Sequence, residues 1–264
     1  FSPDAVKKGI AALRAGCDIV TDTQMAKAGI NKTVLGKLGG QVHCFMSDED
    51  VAAEAVALGA DLIVTHHPLL FYPAYQVTSD SAIGRTILTL VQHDIAAFSA
   101  HTNLDIAPEG VGACLAASLG LEHICVISPT ETDETGKVWG LLRRGTVPEQ
   151  PLDSFLAHVK QALCAPGLRY ASTGRSVHHV AVGGGACADE WKTALEAGCD
   201  TFVTADAKYN DFWDARDAGL TLIDAGHFYT ENPVCAYLQR ILREAFPEVS
   251  VQVSRIHRDC TKFF

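Results

Sequence analysis

The stretch Asp61-Leu62-Ile63-Val64-Thr65-His66-His67-Pro68 constrains this chain more than any other. Leu62 to Thr65 are apolar or β-branched and predict a short buried strand, which Pro68 ends because proline has no N–H for the ladder. Adjacent residues on an extended chain point to opposite sides. His66 and His67 can therefore each serve a different metal ion, or one can bind while the other faces elsewhere. A pair of strand-end histidines bonded to carbonyls is the plainer reading.

Two further strands end in the same kind of residue. Ile95 to Ala100 runs into His101-Thr102-Asn103-Leu104-Asp105, and 220–225 runs into Gly226-His227-Phe228-Tyr229-Thr230-Glu231. In open α/β sheets, ligands collect beyond the carboxyl ends of the strands. Three strands of one parallel sheet would carry these clusters to a common edge. Imidazole and carboxylate are the usual ligands of zinc, iron and manganese. His66, His67, Asp105, His227 and Glu231 are too many for a closed tetrahedral site. They suit two divalent metal ions (Zn, Fe or Mn) about 3.5–4 Å apart, with Glu231 placed to bridge them. His101 is the candidate catalytic residue, open between ligand, orienting partner and general acid or base, or else a buried hydrogen bond at a strand end. The competing reading of the whole set is five independent polar strand ends.

The rest of the chain alternates in the manner of an α/β fold. Strands are expected at 17–21, 41–46, 121–127, 137–143, 177–182, 200–204 and 249–253, besides those above. Helices are expected at 3–15, 49–58 (capped by Ser47 or Asp48), 81–93, from Pro108, and at 152–163, 188–197, 207–217 and on to about 246. The polar stretch 128–136 marks a domain boundary. The expected architecture is two α/β domains. Residues 1–127 plus 220–264 form a metal-binding domain, a mostly parallel sheet with helices on both faces closed by the C-terminal segment, and 128–219 form the second.

Bulk properties exclude several classes. No apolar run reaches about 18 residues, so no membrane partner is expected. With 21 Lys and Arg against 31 Asp and Glu, the net charge is −10, which works against a nucleic-acid partner. The nine cysteines are scattered without a C-x-x-C pair. Together with the absence of a signal-like start, they suggest a reduced, cytoplasmic protein. Arg143-Arg144 reads as a solvated pair unless it faces the cleft. Gly183-x-Gly185-x-x-Ala188 matches a dinucleotide pattern loosely, and a tight strand-to-helix turn is the simpler explanation.

The motifs D-L-I-V-T-H-H-P at 61–68, H-T-N-L-D at 101–105 and D-A-G-H-F-Y-T-E at 224–231 resemble those of the Nif-three-like family. A-V-G-G-G-A-C at 181–187 and T-A-D-A-K-Y at 204–209 add to the likeness, which covers about 55–264. Members of that family are often labelled GTP cyclohydrolase I type 2 homologs. The resemblance implies a dinuclear metal site on the five ligands above and a ring-shaped homo-oligomer, a hexamer. It also implies a metal-dependent hydrolase acting on an unknown small-molecule substrate. A non-enzymatic metal-binding or regulatory protein is the alternative. Asn210 stands where a histidine is frequent in the family, and the family's opening tryptophan-aspartate-asparagine motif is absent.

Residues 1–54 instead resemble a fragment of precorrin-8X methylmutase. The likeness lies in A-L-R-A-G-C-D-I-V-T-D-T-Q-M-A-K-A-G-I at 12–30 and G-G-Q-V-H-C-F-M-S-D-E-D-V-A at 39–52. That enzyme's catalytic histidine lies upstream of this segment, so methylmutase activity is not expected. The combination reads as a chimera or fusion, natural or engineered, joined near 47–56.

Overall fold

The computed structural model describes the backbone at 19–21 and 42–44, and residues 49–263. The helix expected at 3–15, its methylmutase-like surroundings and the cap at Ser47 or Asp48 lie outside the described residues. Strands β1 (Ile19–Thr21) and β2 (Val42–Cys44) pair in parallel, with Ile19 opposite Val42.

The chain divides into two compact units, one running to Ala100 and taking in Ser254–Lys262, the other covering His101–Val253. This division differs from the boundary expected at 128–136. That polar stretch is a hairpin between β6 (Glu131–Thr132) and β7 (Val138–Trp139). Its turn is closed by Asp133, whose Oδ1 accepts from the backbone N–H groups of Thr135 and Lys137.

In the first unit, α1 (Glu49–Leu58) and α2 (Ala82–Gln92) pack together around Ala52, Ala55, Leu90 and Ile95. Ser81 caps α2 by accepting from the Gly84 N–H, which satisfies one of the donors a helix start leaves open. Arg85 donates twice to the Glu49 carboxylate across the helix pair. Strand β3 (Leu62–Thr65) pairs in parallel with β4 (Ala96–Ser99) in its own two-stranded sheet. The strand is half-buried rather than buried, with Leu62 51 % exposed.

The second unit opens with α3 (Thr102–Asp105) and α4 (Val111–Ser118), then builds one six-stranded sheet. Its strands are β5 (Glu122–Ile127), β8 (Leu142–Gln150), β9 (Arg169–Ala171), β10 (Val177–Val182), β11 (Thr201–Thr204) and β12 (Thr221–Asp224). They lie in the order β5-β8-β10-β11-β12-β9. The centre, β10-β11-β12, is parallel, while β8 and β9 run antiparallel to their neighbours. The sheet is therefore mixed, not mostly parallel, and β12 belongs to it together with the segment from 142 to 182. The grouping of 220–264 with 1–127, and the single sheet carrying all three ligand clusters, are corrected accordingly.

Alternation along the central strands supplies two apolar faces, because successive side chains point to opposite sides. Val180, Val182, Val203 and Ile223 meet Leu115 of α4, Leu119 just after it, and Phe155 and Val159 of α5 (Leu152–Ala162). Ala181, Phe202 and Leu222 meet Trp191 and Ala194 of α6 (Trp191–Glu196) and Ala215 of α7 (Tyr209–Ala218). The unit is thus helix, sheet, helix in section. The short α8 (His227–Glu231) follows β12, and α9 (Pro233–Ala245) packs on α4. No strand forms at 249–253, where the Val251 carbonyl accepts instead from Gln239 and Arg243 of α9. Among the described residues no helix is long and apolar enough to cross a membrane.

Candidate metal centre

In the first unit the ends of β3 and β4 are tied by side chains. Thr65 Oγ1 donates to the His67 carbonyl at 2.8 Å and lies 2.8 Å from Ser99 Oγ. His66 Nδ1 lies 2.7 Å from the Ala100 carbonyl. A carbonyl can only accept, so Nδ1 carries the proton and the ring's ligand-type lone pair falls on Nε2. The rings of His66 and His67 are 4.8 Å apart and tilted by 55°. They present ligand atoms within 4.8 Å of one another. The adjacent histidines thus stay close despite pointing differently.

The second unit gathers the remaining residues. His101 is half-buried immediately before α3, and its carbonyl accepts the N–H groups of Leu104 and Asp105. That turn sets the direction of Asp105. Asp105 and the buried Glu231 offer carboxylate oxygens within 4.8 Å of one another. His227 Nε2 is 3.1 Å from Glu231 Oε1, one helical turn along α8. Two donors each about 2.1 Å from one ion sit roughly 3–3.4 Å apart, so this pair has the separation that a shared ion needs.

Two residues to which the sequence reading gave no role at the site complete this arrangement. The first is Asp206, whose Oδ2 accepts from His227 Nδ1 at 2.7 Å. Burial works against charging His227, but the hydrogen bonds to Asp206 and Glu231 outweigh it and lift its pKa to about 10. The second is Gly185, which adopts φ +61°. A Cβ there would stand 2.0 Å from Glu231 Oε1 and 3.1 Å from His227 Nε2. Its N–H donates to Thr230 Oγ1 at 3.0 Å, and its carbonyl accepts from Ala205 N–H at 3.1 Å. The glycine loop therefore makes room for the site. Of the two acidic residues that loosely match a dinucleotide pattern, Asp206 accepts from His227 and Asp200 from the His178 and His179 N–H groups.

The loops are braced from below. Asp224 at the end of β12 accepts from Arg169, from the Ala207 N–H at 3.1 Å and from the Gly226 N–H at 3.0 Å. One buried carboxylate thus sets both the turn carrying Asp206 and the turn into His227. Nearby, the Cys187 thiol is pushed up to about 12, first by burial and then by the negative charge of Asp105 and Glu231. The donor chemistry fits divalent metal ions. Asp105, His227 and the buried Glu231 present carboxylate oxygens and an imidazole nitrogen at ligand spacing in one unit, the donor types that such ions take.

Arg143 does not behave as a solvated residue. It is 2 % exposed and donates to the carbonyls of Gly140, Leu142, Ala107 and Pro108. Arg144 is exposed and bonds Cys125 and Ala197. The seven described cysteines are all free thiols.

An α/β unit with ligand-type side chains gathered behind its strand ends defines an α/β protein with a candidate metal centre. The profile of the Duf34/NIF3 (NGG1p interacting factor 3) family matches residues 26–260, and the chain belongs to that family. It is 36 % identical over 225 residues to a "GTP cyclohydrolase 1 type 2 homolog" of Nostoc, covering 84 % of this chain and 83 % of the relative. A protein of the same name from Clostridium perfringens is 32 % identical over 220 residues, covering 81 % and 82 %. A crystal structure of a Staphylococcus aureus protein superimposes with a TM-score of 0.76 at 27 % identity, covering 83 % of this chain and 85 % of that one. The family match starts well before 55, so it takes in 26–54, part of the segment that resembles a methylmutase fragment.

Proposed function

We propose that His66, His67, Asp105, His227 and Glu231 hold two divalent metal ions, and that the protein is a metal-dependent hydrolase of a small substrate. The observation that carries this reading is the placement of Glu231. Its carboxylate faces the His227 imidazole at 3.1 Å and reaches to within 4.8 Å of an Asp105 oxygen, as a bridging ligand must. Bound ions would supply Lewis acidity for activating water and polarising the substrate. Asp105, His227 and Glu231 would fix the ions, and His101 would move the proton. The names of the Nostoc and Clostridium relatives suggest a nucleotide as the first substrate class to try. A cytoplasmic homo-oligomer, a hexamer by family resemblance, completes the proposal, and light scattering tests its size.

The test is metal content by elemental mass spectrometry on protein purified without a metal-affinity step, compared with a His67→Ala, Glu231→Ala double variant. About two ions per chain, lost in the double variant, is the expected result. Little metal in either protein overturns it. Metal without turnover on a panel of nucleotides and phosphoesters would point to ion storage or regulation instead.

We also propose that residues 1–54 derive from a methylmutase-type gene joined to this family, on the strength of the two stretches at 12–30 and 39–52. Amplification across 47–56 from source DNA tests it. An unbroken reading frame supports a natural fusion, and two separate genes would mean that the join arose outside the genome.

A further inference from the structure

We propose that Asp206 is the positioning residue for His227. On this reading its carboxylate fixes the tautomer and orientation of the imidazole, so that Nε2 faces the ion it shares with Glu231. The inference rests on the metal-centre reading above and concerns a residue that reading did not use. Two independent features support it. Asp206 Oδ2 lies 2.7 Å from His227 Nδ1, and His227 Nε2 lies 3.1 Å from Glu231. The carboxylate therefore stands on the ring edge away from the ligand nitrogen. Since a carboxylate only accepts, Nδ1 must donate and keeps its proton, so Nε2 is the nitrogen whose proton an ion would displace. His66 achieves the same tautomer with the Ala100 carbonyl.

The second feature is the backbone. Asp206 has φ +55°, in the left-handed region that favours glycine. Aspartate tolerates that region better than most residues, so Asp206 can make the turn and still present its carboxylate to His227. The neighbouring anchors hold the turn in place, with the Ala205 N–H on the Gly185 carbonyl and the Ala207 N–H on Asp224.

The conformation supplies a clean variant. Asp206→Gly removes the carboxylate while relieving the backbone, so its melting temperature should stay close to the parent's. Its retention of zinc or manganese, measured by competition with a chromophoric chelator, should fall about 10- to 100-fold, the usual effect of losing such a partner. Asp206→Asn keeps an acceptor and tolerates the left-handed region, and it should recover part of that loss. Metal retention equal to the parent's in Asp206→Gly overturns the proposal. Asn behaving no better than Gly also overturns it, because charge alone would then be at work. Long-range ¹H–¹⁵N spectra of the metal-free protein give a readout independent of metal. The His227 Nδ1–H, assigned with His227→Gln, should be protected from exchange in the parent and lose that protection in Asp206→Gly. An unprotected Nδ1–H in the parent overturns the positioning. A protected one in a chain that takes up no metal would leave Asp206 in its role and remove only the metal-centre reading.

Discussion

Replacing Gly185 by alanine is expected to strip the protein of metal while leaving it folded. Two effects separate here. The backbone at φ +61° disfavours any Cβ, at a cost of about 1–2 kcal/mol. The nearest atom to that Cβ is the far end of the Glu231 side chain, which can swing away, so the clash itself adds little to the instability. Swinging away is nevertheless what the metal centre cannot tolerate, because Glu231 is its proposed bridge. Metal retention should fall at least about tenfold, with a fall of only a few degrees in melting temperature. Gly198→Ala is the control, since Gly198 has φ +81° and nothing within 4 Å of an added Cβ. It carries the conformational cost alone and should hold metal like the parent. If both variants bind metal equally, Glu231 is not where the ions sit.

The second large effect is expected at Arg143. A guanidinium that is 2 % exposed and rests on backbone carbonyls is costly to bury, and removing it costs about 1–3 kcal/mol for each buried carbonyl left without a donor. Arg143→Ala would leave the Gly140 and Ala107 carbonyls without their donor and open a cavity beside α4. The expected loss is about 3–5 kcal/mol from the orphaned carbonyls and the cavity together, read as a lower urea midpoint. Arg143→Lys should recover little, because an ammonium on a flexible stem cannot reproduce a planar fork that reaches both segments. Ala107 and Pro108 follow directly on α3, so the site should also loosen around Asp105. A midpoint within 1 kcal/mol of the parent would mean that these carbonyls find water without difficulty.

Long periodic segments were legible from the sequence. The helix at 49–58 and the strands at 62–65 and 177–182 appear where apolar spacing places them. The strand-end histidines and carboxylates were visible for the same reason, since a ligand-type residue after a β-run is a local pattern. What escaped was set by tertiary partners. β9 has three residues and no apolar run, and it exists because β12 offers an edge. The segment 249–253 alternates like a strand, yet α9 claims the Val251 carbonyl. Arg143 looked solvated because a charge pair gives no hint of carbonyls folded over it. Asp206 was quoted within a motif, but its role depends on a left-handed turn and on a ring contributed from the next strand's end.

The position of β9 also has a consequence for synthesis. Its partner in the sheet, Leu222 opposite Ala171, is about fifty residues further along the chain. At about 5–20 residues per second on the ribosome, β9 waits several seconds for a neighbour, while β8 and β10 can pair as soon as both have emerged. During that interval it is an unpaired edge in a growing chain. Its brevity, and the charge of Arg169 beside the half-exposed Tyr170, are the features that keep such an edge from joining another nascent chain.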